Sequence, residues 1–156
     1  MIDFTLPIQF LGLIIIAAFG GVIFNIYSGH LSFWKKLPPE DFLNWYSNYS
    51  SGIIKSTSPL DIISIAILII SVILVWNVPQ SRIYWVISLF LIVGIIVITM
   101  LYYIKTNSSF SSRTIELSEI RDNFSTWGRI HIVCISMAFF ASITAGIGII
   151  KYIQNT

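Results

Sequence analysis

Residues 123–150 read NFSTWGRIHIVCISMAFFASITAGIGII, and this stretch decides the fold. It is long and apolar enough to cross a bilayer, because a spanning helix needs roughly 20 apolar residues. Its first turns carry Trp127, Arg129, His131 and Cys134, which hold most of the reactive chemistry of the chain. We therefore predict a membrane helix with reactive side chains at one end, against which the other apolar stretches pack.

One face of this predicted helix carries small residues. His131, Cys134, Ala138, Ala141 and Ala145 follow one another at spacings of three and four, which places them on the same side of a helix. Small residues let a neighbouring backbone approach closely, and such packing drives helix association in lipid. We expect this face to be the buried one.

The composition indicates that lipid is the solvent for most of the chain. Of the 156 residues, 56% are hydrophobic and 10% are charged, whereas a soluble domain is about 25% charged. In hydrocarbon every backbone polar group needs an internal partner, which leaves helices or a closed barrel. The continuous apolar runs favour helices. We predict an all-α integral membrane protein that crosses the membrane several times, with the cell membrane as its expected location.

Four apolar stretches qualify as transmembrane helices, and we expect them to form one domain over residues 1–156. Short connections between them predict an antiparallel bundle. The second stretch opens with SPLD, where Ser58 would cap the helix and Asp61 would complete a capping box, so Asp61 is assigned to capping. The predicted spans cover about residues 5–33, 59–77, 82–105 and 126–150.

Residues 39–55, between the first two spans, are too polar to cross the membrane. Phe42, Trp45, Tyr46 and Tyr49 fall on one helical stripe. Aromatic side chains of this kind are typical of helices that lie in the membrane interface. We predict an interfacial amphipathic helix here, which would serve either as a lid over a site between the spans or as an anchored connector.

The charge distribution predicts an orientation and excludes one class of partner. Lys and Arg concentrate in the two long loops and at the start of the fourth span, so the positive-inside rule places those loops in the cytoplasm and both termini outside. A net charge of +2 without a basic stripe argues against a nucleic-acid partner.

The first apolar stretch lacks the basic start of a secretory signal, and we expect it to remain as a membrane helix. The expected partners are the lipid bilayer, an apolar small molecule, and further copies or other chains in an oligomer.

The predicted topology brings two histidines to the same membrane level. The first span ends, and the fourth begins, on the side of the long loops, so His30 and His131 would meet there. Ionisable groups within spans usually face the bundle interior and mark function, which makes both histidines candidate catalytic residues. Other polar and aromatic side chains at that level are candidate substrate-binding residues: Asn25, Tyr27, Tyr103, Asn107 and Trp127.

Several interpretations of these residues stay open at this point. The two histidines would bind a transition metal or a haem iron, with Cys134 as a third ligand. His131 would instead act as a general acid or base on an apolar, oxidisable small molecule. Cys134 would be a reactive thiol or inert packing. Each histidine would otherwise be a structural residue bonded to a carbonyl or hydroxyl group. The sequence identifies neither a metal nor a cofactor.

The first span ends in YSGH, the second opens with SPLD, and Asn107 follows the third. This layout resembles a family of small four-helix membrane proteins related to anthrone oxygenases. The fourth span of that family opens with a Trp-x3-Asn/His-x2-Arg pattern, in which Trp127 and His131 match and Cys134 stands where Arg is expected. The resemblance implies an oxygenase of phenolic polycycles that needs no obvious cofactor.

A non-enzymatic role is the alternative. The small-residue faces of the first and fourth spans would suit a partner helix as well as each other. The chain would then be an accessory or structural subunit of a larger membrane complex.

Overall fold

The computed structural model describes residues 4–156, apart from the side chains of residues 54 and 56. It is built from long helices, and the described residues contain no strand. Four helices are long and apolar enough to cross a membrane, which confirms the predicted fold class at this level. They are α1 (Thr5–Trp34), α2 (Pro39–Leu74), α3 (Pro79–Ser111) and α4 (Leu117–Asn155).

Two of the four helices contain a π-helical segment. In α1, the α-helix Thr5–Asn25 changes to a π-helix over Ile26–Leu31. In α3, the α-helix Pro79–Ile98 changes to a π-helix over Thr99–Tyr103. A short α-helical end follows each of them. Such segments are rare, and they are found frequently at functional sites.

The structure corrects the prediction for the second span. Where the sequence predicted an interfacial helix over residues 39–55 and a separate span over residues 59–77, a single helix covers Pro39–Leu74. This helix begins with proline at its first position, where the missing N–H costs nothing. Glu40 and Asp41 lie in its first turn, where carboxylates interact favourably with the positive end of the helix dipole.

The predicted capping box at the start of the second span is wrong, because Pro59 lies inside α2. Ser58 is therefore not an N-cap, and Asp61 is a residue of the helix interior. Proline is tolerated in membrane helices because hydroxyl side chains and neighbouring helices satisfy the freed backbone groups. Close to this proline, the hydroxyl of Thr57 donates to the Ile53 carbonyl at 3.1 Å.

Aromatic side chains from all four helices pack together where α1 ends and α2 begins. The ring centroid of Phe42 lies 4.7 Å from that of Phe124 and 5.1 Å from that of Phe110, both in edge-to-face geometry. The predicted aromatic stripe of α2 packs partly against this group, because Phe42 and Tyr46 are buried while Tyr49 is 62% exposed. We call this group the aromatic cluster and its side of the molecule the aromatic end; its members are Trp34, Phe42, Tyr46, Phe110, Phe124 and Trp127.

Polar and small residues bring the helices together at the opposite end. The indole N–H of Trp85 donates to Oε1 of Gln9 at 3.3 Å, and both side chains are fully buried. A Cβ atom on Gly148 would lie 2.8 Å from Nε1 of the same indole, so α4 packs directly against the ring. The Ser81 hydroxyl donates to the Gly148 carbonyl at 2.8 Å. This end therefore combines close backbone approach with hydrogen bonds between helices.

The buried face predicted for the fourth span is confirmed. Ala138, Ala141 and Ala145 are fully buried, and His131 and Cys134 on the same face are nearly so. This face carries the histidine into the interior of the molecule, where the candidate site lies.

Candidate functional site

A cavity of about 130 Å³ lies between the helices, beside the aromatic cluster. Most of its walls are apolar, and a few hydroxyl, amide, imidazole and carboxylate groups interrupt them. The lining residues are Phe19, Val22, Ile23, Ile26 and Trp34 of α1; Tyr46, Ser50, Ile53, Thr57 and Asp61 of α2; Ile95, Thr99, Tyr103 and Asn107 of α3; and Trp127, His131 and Cys134 of α4. An apolar cavity with a few convergent polar groups is the usual form of a small-molecule site.

Both ring nitrogens of His131 are hydrogen-bonded in the cavity wall. Nε2 lies 3.0 Å from the carbonyl oxygen of Ile23, and Nδ1 lies 3.0 Å from the hydroxyl of Tyr103. A carbonyl oxygen only accepts, so Nε2 carries the proton and donates it to Ile23. Nδ1 then accepts from the Tyr103 O–H, which is the pattern of a neutral imidazole. His131 thus connects α1, α3 and α4.

The two π-helical segments lie beside the residues that bond His131. At the start of the first segment the Ile26 N–H donates to the Ile23 carbonyl, and this oxygen has a second lone pair for the histidine. Ile23 precedes the π segment Ile26–Leu31 by three residues, and its carbonyl accepts from His131. Tyr103 is the last residue of the other π segment, Thr99–Tyr103. Each π-helical segment therefore lies beside or contains one of the two hydrogen-bond partners of His131.

Trp127 packs flat against His131 and is held by an amide. The two ring centroids are 4.3 Å apart and the ring planes differ by 10°. The indole N–H of Trp127 donates to Oδ1 of Asn107 at 3.3 Å. The ring of Tyr103 meets the same indole edge to face, with centroids 5.3 Å apart. Four of the seven candidate site residues from the sequence, His131, Tyr103, Asn107 and Trp127, are thus brought together at the cavity.

The other three candidates do not line the cavity. Tyr27 lies parallel to His131 with ring centroids 6.3 Å apart, so it packs near the histidine from outside the cavity wall. Asn25 is exposed. His30 packs against the rings of Trp34 and Trp45, at centroid distances of 5.9 and 6.3 Å.

The two histidines therefore occupy different surroundings. Ring contacts pass from His30 to Trp34, then from Trp34 to Trp127, with centroids 5.6 Å apart, and finally from Trp127 to His131. In the part of the chain that the structure describes, the two imidazoles make no ring contact with each other. A site in which both histidines bind the same atom is not formed by this arrangement.

The donor set at the cavity fits hydrogen bonding better than metal binding. Within residues 4–156 as described, no group of three or more His, Cys, Asp or Glu side chains lies close enough to hold a metal ion. A metal at His131 would also have to displace either the Tyr103 hydroxyl or the Ile23 carbonyl from its ring nitrogens. Because both ring nitrogens of His131 are hydrogen-bonded, the imidazole is suited instead to a structural role or to exchanging a proton through Tyr103.

The cavity wall includes polar residues that the sequence analysis did not select. Asp61 is assigned to capping by the sequence, and Ser50 and Thr57 lie in or just after the region interpreted either as a lid or as a connector, yet all three lie on the cavity side of α2. Their spacings of seven and four would have placed them on one helical face had α2 been treated as continuous. Thr99 was likewise detectable, because Thr99, Tyr103 and Asn107 follow one another every four residues.

Comparison of the chain with known protein families, with curated proteins and with solved structures found no match.

Proposed function

We propose that this protein binds an apolar small molecule in the cavity and that Tyr103, backed by His131, exchanges a proton with it. The observation that carries the proposal is the hydrogen-bonded series from the Tyr103 hydroxyl through Nδ1 and Nε2 of His131 to the Ile23 carbonyl, set in an apolar cavity wall. Imidazole is suited to proton transfer near neutral pH, and a tyrosine hydroxyl can pass a proton to it directly.

The roles of the groups follow from their hydrogen bonds. When a molecule in the cavity donates a proton to the Tyr103 oxygen, the phenolic proton can move to Nδ1 of His131. The Ile23 carbonyl, as the acceptor for Nε2–H, stabilises the imidazolium that forms and fixes the orientation of the ring. Trp127 shields one face of the imidazole from other contacts. His131 would hold the transferred proton, and Tyr103 is the group that would contact the substrate.

The size of the cavity limits the substrate. At about 130 Å³ it is smaller than the roughly 300–1,000 Å³ of pockets that hold drug-sized ligands. A cavity of about 150 Å³ lined by aliphatic and aromatic side chains holds one benzene ring. We therefore infer that a substrate of anthrone-oxygenase-like chemistry would have to be smaller than a fused polycycle here, or that the helices would separate to admit it.

We further propose a multi-pass arrangement in the cell membrane, with the aromatic end on the cytoplasmic side. The contacts between α3 and α4 support antiparallel packing, since Ser81 bonds to Gly148 near one end and the ring of Tyr103 packs against Trp127 near the other. α2 has 36 residues and would extend about 54 Å, whereas the hydrocarbon core of a bilayer is about 30 Å thick. We infer that the first part of α2 lies at interface level, where the sequence predicted an amphipathic segment.

The proposal is tested by filling the cavity. Thr99→Phe places a ring in the cavity, and Val97→Phe is the matched control, because Val97 lies on the same helix and is 45% exposed on its outer side. Native mass spectrometry of the protein released from its own membranes is expected to show a bound small molecule in the wild type and in Val97→Phe, and to show none in Thr99→Phe. Equal retention of the molecule by both variants would place it outside the cavity.

The proton-transfer part of the proposal requires a second variant. Tyr103→Phe keeps the ring and removes the hydroxyl, so the molecule identified by mass spectrometry should still bind. Its conversion, followed by chromatography of the extracted ligand, should fall by a factor of about 100 or more, which is the usual contribution of general acid–base catalysis. Full conversion by Tyr103→Phe would refute the assigned role.

An accessory subunit is the second candidate function. Ala17, Ala18 and Gly21 are exposed on one side of α1, and a Cβ atom on Gly21 would meet nothing within 4 Å. Small residues at an exposed helix face allow another membrane helix to approach closely. Gly21→Leu should disrupt a larger complex in size-exclusion chromatography if this face binds a partner. An unchanged elution volume for wild type and variant, at the size of a monomer, would argue against the subunit function.

A further inference from the structure

We propose that the molecule in the cavity is a narrow aliphatic amphiphile whose oxygen atom accepts a hydrogen bond from the indole N–H of Trp34. The inference rests on the proposed function, because it assumes that the cavity binds a small molecule. It adds the chemical class of that molecule, the end at which its polar group lies and the residue that recognises it.

The first observation is a buried donor without an acceptor. Trp34 lines the cavity and is 2% exposed, and its Nε1–H has no hydrogen-bond partner among the described residues. The other two indoles at or near the interior are satisfied: Trp127 donates to Asn107, and Trp85 donates to Gln9. A buried donor without a partner costs about as much free energy as a lost hydrogen bond, and in native proteins it usually has an acceptor from water or a ligand.

The acceptors that α3 and α4 present to the cavity near Trp34 are already engaged. Oδ1 of Asn107 already accepts from Trp127, and Nδ1 of His131 already accepts from Tyr103. Nδ1 of the neighbouring His30 is also buried without a partner, but it makes no hydrogen bond to the Trp34 indole among the described residues. His30 does not line the cavity, so an acceptor from the cavity side would come from the molecule bound there.

The second observation is the shape of the cavity. Its lining residues on α3 extend from Ile95 to Asn107, which at 1.5 Å per residue is about 18 Å along the helix. A volume of about 130 Å³ spread along that length forms a narrow slot parallel to the helices. A slot of this form matches a single aliphatic chain better than a flat ring system.

The two observations give the bound molecule a direction. Trp34 lies at the aromatic end, and the residues farthest from it on α1, α3 and α4, namely Phe19, Ile95 and Cys134, are apolar, whereas α2 places Asp61 there, whose ionised carboxylate accepts hydrogen bonds and cannot donate them. The oxygen of the molecule would therefore lie at the aromatic end and its chain would extend toward the middle of the helices. An aliphatic ketone, aldehyde or alcohol has the required combination of one acceptor and one narrow chain.

The experiment uses the full chain in lipid nanodiscs, with methyl hexyl ketone as the probe and octane as a control of equal carbon number that has no acceptor. The chain contains five tryptophans, and their indole N–H signals are followed by heteronuclear NMR. The Trp34 signal is assigned from its loss in Trp34→Phe. We expect the ketone to move this signal downfield and octane to leave it in place.

Two variants measure the contribution of the N–H. Trp34→Phe keeps an aromatic ring but has no donor, and it should bind the ketone about fivefold more weakly while its affinity for octane stays the same. Trp45→Phe is the matched control, because Trp45 contacts the Trp34 ring at a centroid distance of 5.8 Å but does not line the cavity. It should retain the wild-type preference for the ketone. The wild-type titration alone decides the question if Trp34→Phe does not fold.

The outcomes separate the inference from the function on which it rests. If ketone and octane both bind in the cavity with equal affinity and the Trp34 signal stays in place, the inference is overturned and the binding function stands. If a water cross-peak at the Trp34 N–H persists at saturating ketone, water is the acceptor and the inference is also overturned. If neither compound binds, the proposed function itself fails.

Discussion

Tyr103→Phe tests whether His131 is held by the tyrosine hydroxyl. The substitution removes the donor that lies 3.0 Å from Nδ1, and both side chains are 6% exposed. A buried acceptor left without its partner costs about 1–3 kcal/mol in soluble proteins. Hydrogen bonds between membrane helices average about 0.6 kcal/mol and reach about 1.7 kcal/mol, because the unfolded chain in the membrane also finds partners. The cavity beside Nδ1 can admit water, so we expect a loss of about 1 kcal/mol.

The assay is reversible unfolding in mixed micelles, driven by increasing SDS and followed by circular dichroism. Tyr102→Phe is the matched control, because it removes a hydroxyl from the neighbouring residue of the same helix without touching His131. Its free energy of unfolding should stay within about 0.5 kcal/mol of the wild type. If Tyr103→Phe is as stable as Tyr102→Phe, the hydrogen bond to His131 does not hold the site together and the reasoning is wrong.

A double-mutant cycle isolates the same interaction. His131→Ala breaks the bonds to both Tyr103 and Ile23, so it should destabilise the protein more than Tyr103→Phe does. Once His131 is absent, removal of the hydroxyl should have almost no further effect. The coupling energy should therefore be about 1 kcal/mol, and additive losses would show that the two side chains act independently.

Three further predictions concern other parts of the molecule. Gly148→Ala should destabilise the protein by about 1–3 kcal/mol, because its Cβ would lie 2.8 Å from Nε1 of Trp85, whereas Gly146→Ala should be tolerated since nothing lies within 4 Å; SDS unfolding of both variants checks this. Asn107→Ala leaves the Trp127 N–H without its acceptor and should cost about 1 kcal/mol in the same assay. The absorption spectrum of the purified protein should show no Soret band, and elemental analysis should show no stoichiometric transition metal, because both nitrogens of the cavity imidazole are engaged; a metal in equal amount to protein would contradict the hydrogen-bond assignment.

The sequence predicted those features that depend on local pattern. The small-residue face of the fourth span followed from the regular spacing of Ala138, Ala141 and Ala145, because a straight helix keeps such residues on one side. Length and hydropathy were enough to locate four helices that can cross a membrane. Helix connectivity places the end of α3 beside the start of α4, and the structure brings His131, Tyr103, Asn107 and Trp127 together at the cavity there.

Features that depend on packing between helices were not predictable in this way. The sequence around Pro59 was interpreted as a helix start, because proline is common in the first turn of a helix and rare in its interior. The surrounding helices nevertheless support a continuous helix through this residue. Asp61 was misassigned for the same reason. The two π-helical segments leave no clear sequence signal, so the hydrogen bond from His131 to the Ile23 carbonyl could not be derived before the structure. The unpartnered N–H of Trp34 is likewise a property of three-dimensional packing.

A density map of the protein in its own lipids, determined by electron cryomicroscopy at a resolution that shows ordered small molecules, would show whether a molecule occupies the cavity. We expect elongated non-protein density in the cavity, with one end at Nε1 of Trp34 and one side beside the Tyr103 hydroxyl, and with His131 still bonded to Ile23. A cavity closed by inward movement of its side chains, with Tyr103 turned away from His131, would contradict it.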